Sequence, residues 1–99
     1  MAFTLKHLGE PITFEDAARA ARLSGRTLSR RFEEEAQTTW RRFLHDARML
    51  RAMELLAEEG ARVTQTAYAV GFEDPKYFSR VFSEAYGVSP AAFRASARG

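Results

Sequence analysis

The sequence predicts an all-α fold of about seven helices, in which two helix-turn-helix subdomains are joined by a long connecting helix. Three observations predict it. Apolar residues recur at three-to-four spacing nearly throughout, and no window alternates strictly over strand length. Leu28-Ser29-Arg30-Arg31-Phe32 and Phe78-Ser79-Arg80-Val81-Phe82 are near copies fifty positions apart, so one unit is duplicated. The pairing continues through Glu34 with Glu84, Thr39 with Ser89 and Phe43 with Phe93. Upstream the offset is forty-nine: Phe14, Ala17, Ala18, Ala21 and Leu23 pair with Val63, Thr66, Ala67, Val70 and Phe72, which puts one extra residue, near Glu73, in the second turn. Thirdly, each copy carries helix-start residues, Ser24 and Asp74, just ahead of its repeated segment.

The elements follow in order. A short helix is expected over residues 3–8, ended by Gly9 and Pro11. Thr13, with Asp16 three residues on, sets up a capping-box-like start for a helix running to about Arg22. Ser24 caps the next, with Leu28 and Phe32 one turn apart on its buried face and a stop near Ala36 or Gln37. A long helix is expected from Thr39 or Trp40 to Glu59, with Gly60 at its end; roughly twenty residues at 1.5 Å each make about 30 Å. The second copy repeats the plan with a helix over 63–70, a turn at 71–73 and a helix capped by Asp74. Pro75 at its first position costs nothing, because the missing N–H would be unpaired there anyway. Gly87 ends that helix, and Ser89-Pro90 opens a last short one through Phe93 and Arg94. Along the chain, the first lobe covers about 5–38, the connecting helix about 39–60 and the second lobe about 61–95, within one domain of residues 1–99.

Composition narrows the function classes. A chain of 99 residues buries little core, so two small lobes on a shared connector suit it better than one thick core. Hydrophobic content of 45% and charged content of 28% are globular values and give no case for disorder. No apolar run has membrane-spanning length, so no membrane partner is expected. Without cysteine, and with only His7 and His45, no disulfide, metal site or cofactor is expected; neither histidine has a partner histidine or acid at ligand spacing. A glycine-rich phosphate loop and a persuasive catalytic carboxylate pair are also absent from the sequence, so an enzyme is the poorest class. A cytoplasmic protein fits best.

Charge is segregated although the net value is only +2. Residues 17–32 hold Arg19, Arg22, Arg26, Arg30 and Arg31 with no acid, and Glu33, Glu34 and Glu35 follow at once. Such segregation fits docking of a polyanion on one side, but taken alone it reads better as solvated helix faces with ordinary ion pairs. With Leu28 and Phe32 inward, Arg26, Ser29, Arg30 and Glu33 turn outward; with Phe78 and Phe82 inward, Lys76, Ser79, Arg80 and Ser83 do. Arginine on such a face can pair with both acceptors of guanine, while serine can take phosphates. Arg30 and Arg80, equivalent in the two copies, are the strongest candidates. Trp40 is expected to pack lobe against connector, and Arg48 fits an intramolecular hydrogen bond as well as a phosphate.

The segments Ala67-Tyr68-Ala69-Val70-Gly71-Phe72, Tyr77-Phe78-Ser79-Arg80-Val81-Phe82 and Tyr86-Gly87-Val88-Ser89-Pro90 with Phe93-Arg94 resemble the signature of the AraC/XylS family of bacterial transcription regulators. The first copy agrees, with Ser24, Leu28 to Phe32, Arg48, Ala52, Leu55 and Leu56 in place, so the resemblance covers about residues 5–94. It implies a DNA-binding domain whose two lobes enter successive major-groove segments on one face of double-stranded DNA. Positions matching the family's base-reading sites are Arg26, Ser29 and Arg30 in the first lobe and Lys76, Tyr77 and Arg80 in the second. It also implies RNA polymerase as a further contact of an activator. The isolated domain is expected to be monomeric, as the C-terminal part of a longer regulator that could dimerise through a domain not in this sequence. The alternative is a helical protein-interaction module docking on an acidic partner.

Some residues depart from the family pattern. Gln37 stands where glycine is common, as Gly87 does in the second copy, and Glu33 stands where relatives are often basic. Thr66 replaces a branched aliphatic and Thr38 pairs with Val88, so slightly loose packing is expected in both lobes.

Overall fold

The computed structural model describes residues 2–98, the side chain of Arg98 excepted, and every regular element among them is helical. In order these are α1 (Ala2–Lys6), α2 (Phe14–Ala21), α3 (Gly25–Arg31) running into a π turn (Phe32–Ala36), α4 (Trp40–Leu56), α5 (Val63–Ala69), α6 (Pro75–Tyr86) and α7 (Pro90–Arg98). The chain divides into two compact units, Met1–Ala47 and Arg48–Gly99, and the division falls inside α4.

In the first unit the predicted caps form. Thr13 Oγ1 accepts from the Asp16 N–H at 3.1 Å, while the Thr13 N–H donates to Asp16 Oδ2 at 2.9 Å, a reciprocal box that fixes the start of α2. Ser24 Oγ accepts from the Thr27 N–H at 3.1 Å and starts α3. Ala17, Ala18, Leu28, Phe32, Trp40 and Leu44 then close a core, flanked by Phe14, Leu23 and Phe43. Gly25 sits close under the Phe14 ring, where an added Cβ would lie 3.1 Å from ring carbon Cε2. Trp40 packs as expected, buried at the start of α4, and its indole N–H donates to the buried Thr4 hydroxyl at 2.8 Å.

In the second unit a ladder of rings supplies the core. Phe72, Phe78, Phe82 and Phe93 follow one another at centroid separations of 5.3, 5.8 and 5.7 Å, and Phe78 and Phe82 are fully buried with Leu56, Val70 and Ala67. Truncating one such phenylalanine to alanine typically costs about 3–5 kcal/mol. Thr66 leaves no unpaired polar atom here, because its hydroxyl donates to the Arg62 carbonyl at 2.8 Å. Arg94 ties α7 back through its guanidinium to the Ala61 carbonyl at 2.8 Å.

Several boundaries differ from expectation. α1 ends at Lys6 rather than near Leu8, and a turn closed by the Glu10 N–H on the His7 carbonyl follows it. His7 also has an acid partner, since its Nδ1 hydrogen-bonds Glu10 Oε2. α4 stops at Leu56, short of Glu59: Glu58 and Ala61 bond three residues back, to Leu55 and Glu58, and Gly60 is left-handed at φ 78°. Three glutamates, Glu54, Glu58 and Glu59, near the negative end of the helix dipole favour this early stop. α7 runs on past Arg94 to Arg98, through alanine-rich sequence that favours helix. α5 ends one residue early, at Ala69.

The helical run that begins at Gly25 stops at Ala36, as expected, but its last turn is wound differently. From Phe32 the winding widens, so that the Gln37 N–H reaches the Phe32 carbonyl five residues back, and Gln37 is left-handed at φ 54°. Its counterpart Gly87, at φ 75°, ends α6 with an ordinary four-residue bond to Ser83. Arg22 is left-handed as well, at φ 58°, where the second copy has Gly71 at φ 91°. The duplication thus extends to the backbone, and the first copy meets both left-handed positions with a side chain, at about 1 kcal/mol each.

Candidate nucleic-acid interface

Helices α3 and α6 present the residues the repeat singles out. α3 buries Leu28 and begins the segment that buries Phe32, which leaves Arg26, Ser29 and Arg30 exposed. α6 buries Phe78 and Phe82, and Lys76, Tyr77 and Arg80 are exposed. Asp74 fixes the start of α6 by accepting from the Lys76 N–H at 2.9 Å, with Pro75 at the first helical position. Ser79 and Ser83, expected outward, are half-buried, because the ring ladder draws in a wider arc of α6 than two phenylalanines alone would. Glu33 is exposed.

Some exposed cations are paired with carboxylates and others, including Arg22, Arg31, Arg41 and Arg62 outside the repeated outward set, have no such pair among the described residues. Arg19, Arg42 and Arg51, on α2 and α4, stand 3.6, 3.3 and 3.7 Å from Asp16, Asp46 and Glu54. Among the described residues, Arg26, Arg30, Lys76 and Arg80 have no such carboxylate, although Glu34 and Glu84 follow Arg30 and Arg80 by four residues. Arg80 instead lies over the Tyr77 ring, 5.1 Å from its centroid, a cation–π contact that leaves its charge unneutralised. Thr27, the counterpart of Tyr77, is tied down by the Ser24 hydroxyl at 2.9 Å, so the two copies expose different chemistry at that position. Unpaired planar cations on an exposed helix can form bidentate bonds to guanine or bridge phosphate oxygens.

Arg48 lies against Gly71 of its own chain. It is half-buried, burial lowers its pKa from the usual arginine value, and its guanidinium lies where a side chain on Gly71 would be, 3.0–3.1 Å from an ideal Cβ. In the first unit, a groove of about 780 Å³ beside Ser29 is edged by Thr13, Glu15, Thr39 and Arg41 over apolar Phe14 and Trp40. Thr39 and Arg41 were not among the expected site residues; their place at the start of α4, beside α3, is a tertiary fact that helical periodicity does not carry. Arg22 was also missed, although the offset that pairs Leu23 with Phe72 pairs it with Gly71. Among the described residues, no group of three His, Asp or Glu could hold a metal ion, and no helix is long and apolar enough to cross a membrane.

Comparison with known proteins agrees with this geometry. A family profile described as a helix-turn-helix domain matches residues 17–96. The HTH-type transcriptional activator RhaR of Pectobacterium atrosepticum is 38% identical over 87 residues, covering 88% of this chain but 31% of the relative, so the chain spans about a third of that protein's length. An AraC-type DNA-binding domain regulator from Chromobacterium violaceum superposes with a TM-score of 0.90 at 25% identity, over 97% of this chain and 86% of the other. The DNA-binding domain of the global transcriptional factor AdpA, solved with a target DNA, gives a TM-score of 0.88 at 35% identity, over 98% of this chain and 87% of the other. With the profile spanning most of its residues and its duplicated helical units matching these folds, the chain belongs to the AraC/XylS family of helix-turn-helix proteins.

Proposed function

We propose that this chain is a sequence-specific, double-stranded DNA-binding transcription regulator that reads two successive major-groove segments, one with α3 and one with α6. The observation that carries the reading is the set of exposed recognition-helix cations without carboxylate partners, repeated in both copies. In this reading the lobes are residues 5–38 and 61–95, with 39–60 as connector. Arg30 and Arg80 read base edges, Arg26 and Ser29 support the first lobe, and Lys76 and Tyr77 support the second. The activator names of the relatives and the DNA complex of AdpA support the DNA-binding part of the reading. RNA polymerase as a second contact and the cytoplasm as place of action complete it. Docking on an acidic protein partner has no observation in its favour that DNA binding does not share.

Selection of binding sites from genomic fragments, followed by affinity measurement across a salt series, tests this. Arg30→Ala and Arg80→Ala are each expected to relax preference at one or two base pairs and to cost about 1–3 kcal/mol at the selected site. Equal losses on every sequence would make both arginines phosphate contacts, and no salt-dependent binding by the unaltered chain would reject the reading.

A further inference from the structure

The turn between α2 and α3 carries an arginine in a backbone conformation that its repeat partner meets with glycine. Arg22 has φ 58°, and Gly71, its equivalent, has φ 91°. The second turn has no room for a side chain, because an ideal Cβ on Gly71 would meet the Arg48 guanidinium at 3.0–3.1 Å. The first turn is open. Arg22 is exposed and, among the described residues, its side chain has no carboxylate, carbonyl or ring partner. The left-handed backbone closes α2, through the Arg22 N–H on the Arg19 carbonyl and the Leu23 N–H on the Ala18 carbonyl, and glycine would make the same bonds with less strain, so nothing in this turn calls for the arginine side chain. An exposed cationic side chain that the turn does not need, in a backbone conformation that favours glycine, points to an external partner.

Position and charge identify the partner's chemistry. Arg22 lies two residues before Ser24, the cap of α3, and four before Arg26, within residues 17–32, which contain five arginines and no acid. A flexible cationic arm just ahead of a groove-reading helix is placed for the sugar-phosphate backbone beside the groove rather than for base edges within it. We infer that Arg22 is a DNA phosphate contact of the first turn, one that the second turn does not possess. The inference rests on the DNA-binding reading and assigns the first lobe a larger share of the sequence-independent affinity.

The test compares the unaltered chain with Arg22→Gly and Arg22→Lys on a selected-site duplex and on a mixed-sequence duplex across a salt series, with thermal unfolding of each protein. Arg22→Gly is expected to be at least as stable as the unaltered chain, yet to bind both duplexes severalfold more weakly. Its slope of log affinity against log salt is expected to be shallower by about one. Arg22→Lys is expected to keep the slope. If Arg22→Gly leaves affinity and slope unchanged while the unaltered chain binds with steep salt dependence, the inference fails and the DNA-binding reading stands. If it weakens only the selected duplex, Arg22 touches a base and the phosphate assignment fails. If the unaltered chain shows no salt-dependent binding to either duplex, both readings fail together.

Discussion

Asp16 shows how one side chain both starts a helix and links folding to pH. The Thr13 N–H hydrogen bond, then the Thr13 hydroxyl and then Arg19 hold its carboxyl below the usual aspartate range. A folded-state pKa below the unfolded one adds stability that is fully present above the unfolded pKa and is lost as pH falls through the folded one. Asp16→Asn is therefore expected to lower the denaturation midpoint at neutral pH, with the deficit shrinking in acid below the ordinary aspartate range. Denaturant titrations of both proteins at several pH values check it; a deficit independent of pH would mean that geometry alone, not charge, makes the cap. Arg48 illustrates the opposite use of a charge, spent on filling the space over Gly71 rather than left to solvent.

At the scale of elements, the two recognition helices start alike and end differently. Each has a side-chain oxygen as its cap, Ser24 accepting from the Thr27 N–H three residues on and Asp74 from the Lys76 N–H two residues on, but α3 passes into a π turn closed by left-handed Gln37, whereas α6 stays α-helical to left-handed Gly87. Gln37→Gly is expected to leave stability unchanged or raise it by about 1 kcal/mol, measured by denaturant unfolding. A clear loss would show that the glutamine side chain holds the π turn in place. Helix starts were legible in the sequence because Thr13, Ser24, Asp74 and Ser89 each carry the oxygen that accepts from the first-turn N–H groups. Ends were less so. α1 and α4 stop early and α7 runs late, since helix termination depends on dipole, propensity and packing that no single residue announces. Of the outward set, Arg26, Ser29, Arg30, Glu33, Lys76 and Arg80 were readable from the buried Leu28, Phe32, Phe78 and Phe82, but Ser79 and Ser83 were not. Arg22 was signalled only by its pairing with Gly71, because left-handed positions normally declare themselves by glycine or asparagine.

At the scale of the molecule, both units share α4, whose 17 residues span about 25 Å, somewhat less than the 30 Å expected from a helix reaching Glu59. If each unit carries a reading helix, one copy of the chain protects two short blocks in one asymmetric site, about one DNA turn apart, with no palindrome needed. Inserting about five base pairs between the blocks is then expected to reduce affinity toward that of one lobe, and about ten not to restore it fully. Footprinting and titration on the three spacings check this; equal binding to all of them would mean that the lobes act independently or that one alone reads DNA. The unpaired cations on α3 and α6 have one more consequence, a thermodynamic one. A polyanion that binds the folded arrangement of these cations more tightly than the unfolded chain stabilises folding, by up to about 2.7 kcal/mol at a hundred times its dissociation constant when the unfolded chain does not bind it. If that polyanion is a DNA site, the domain is least stable while it searches and most stable once it has arrived, so its folding is coupled to occupancy of the site.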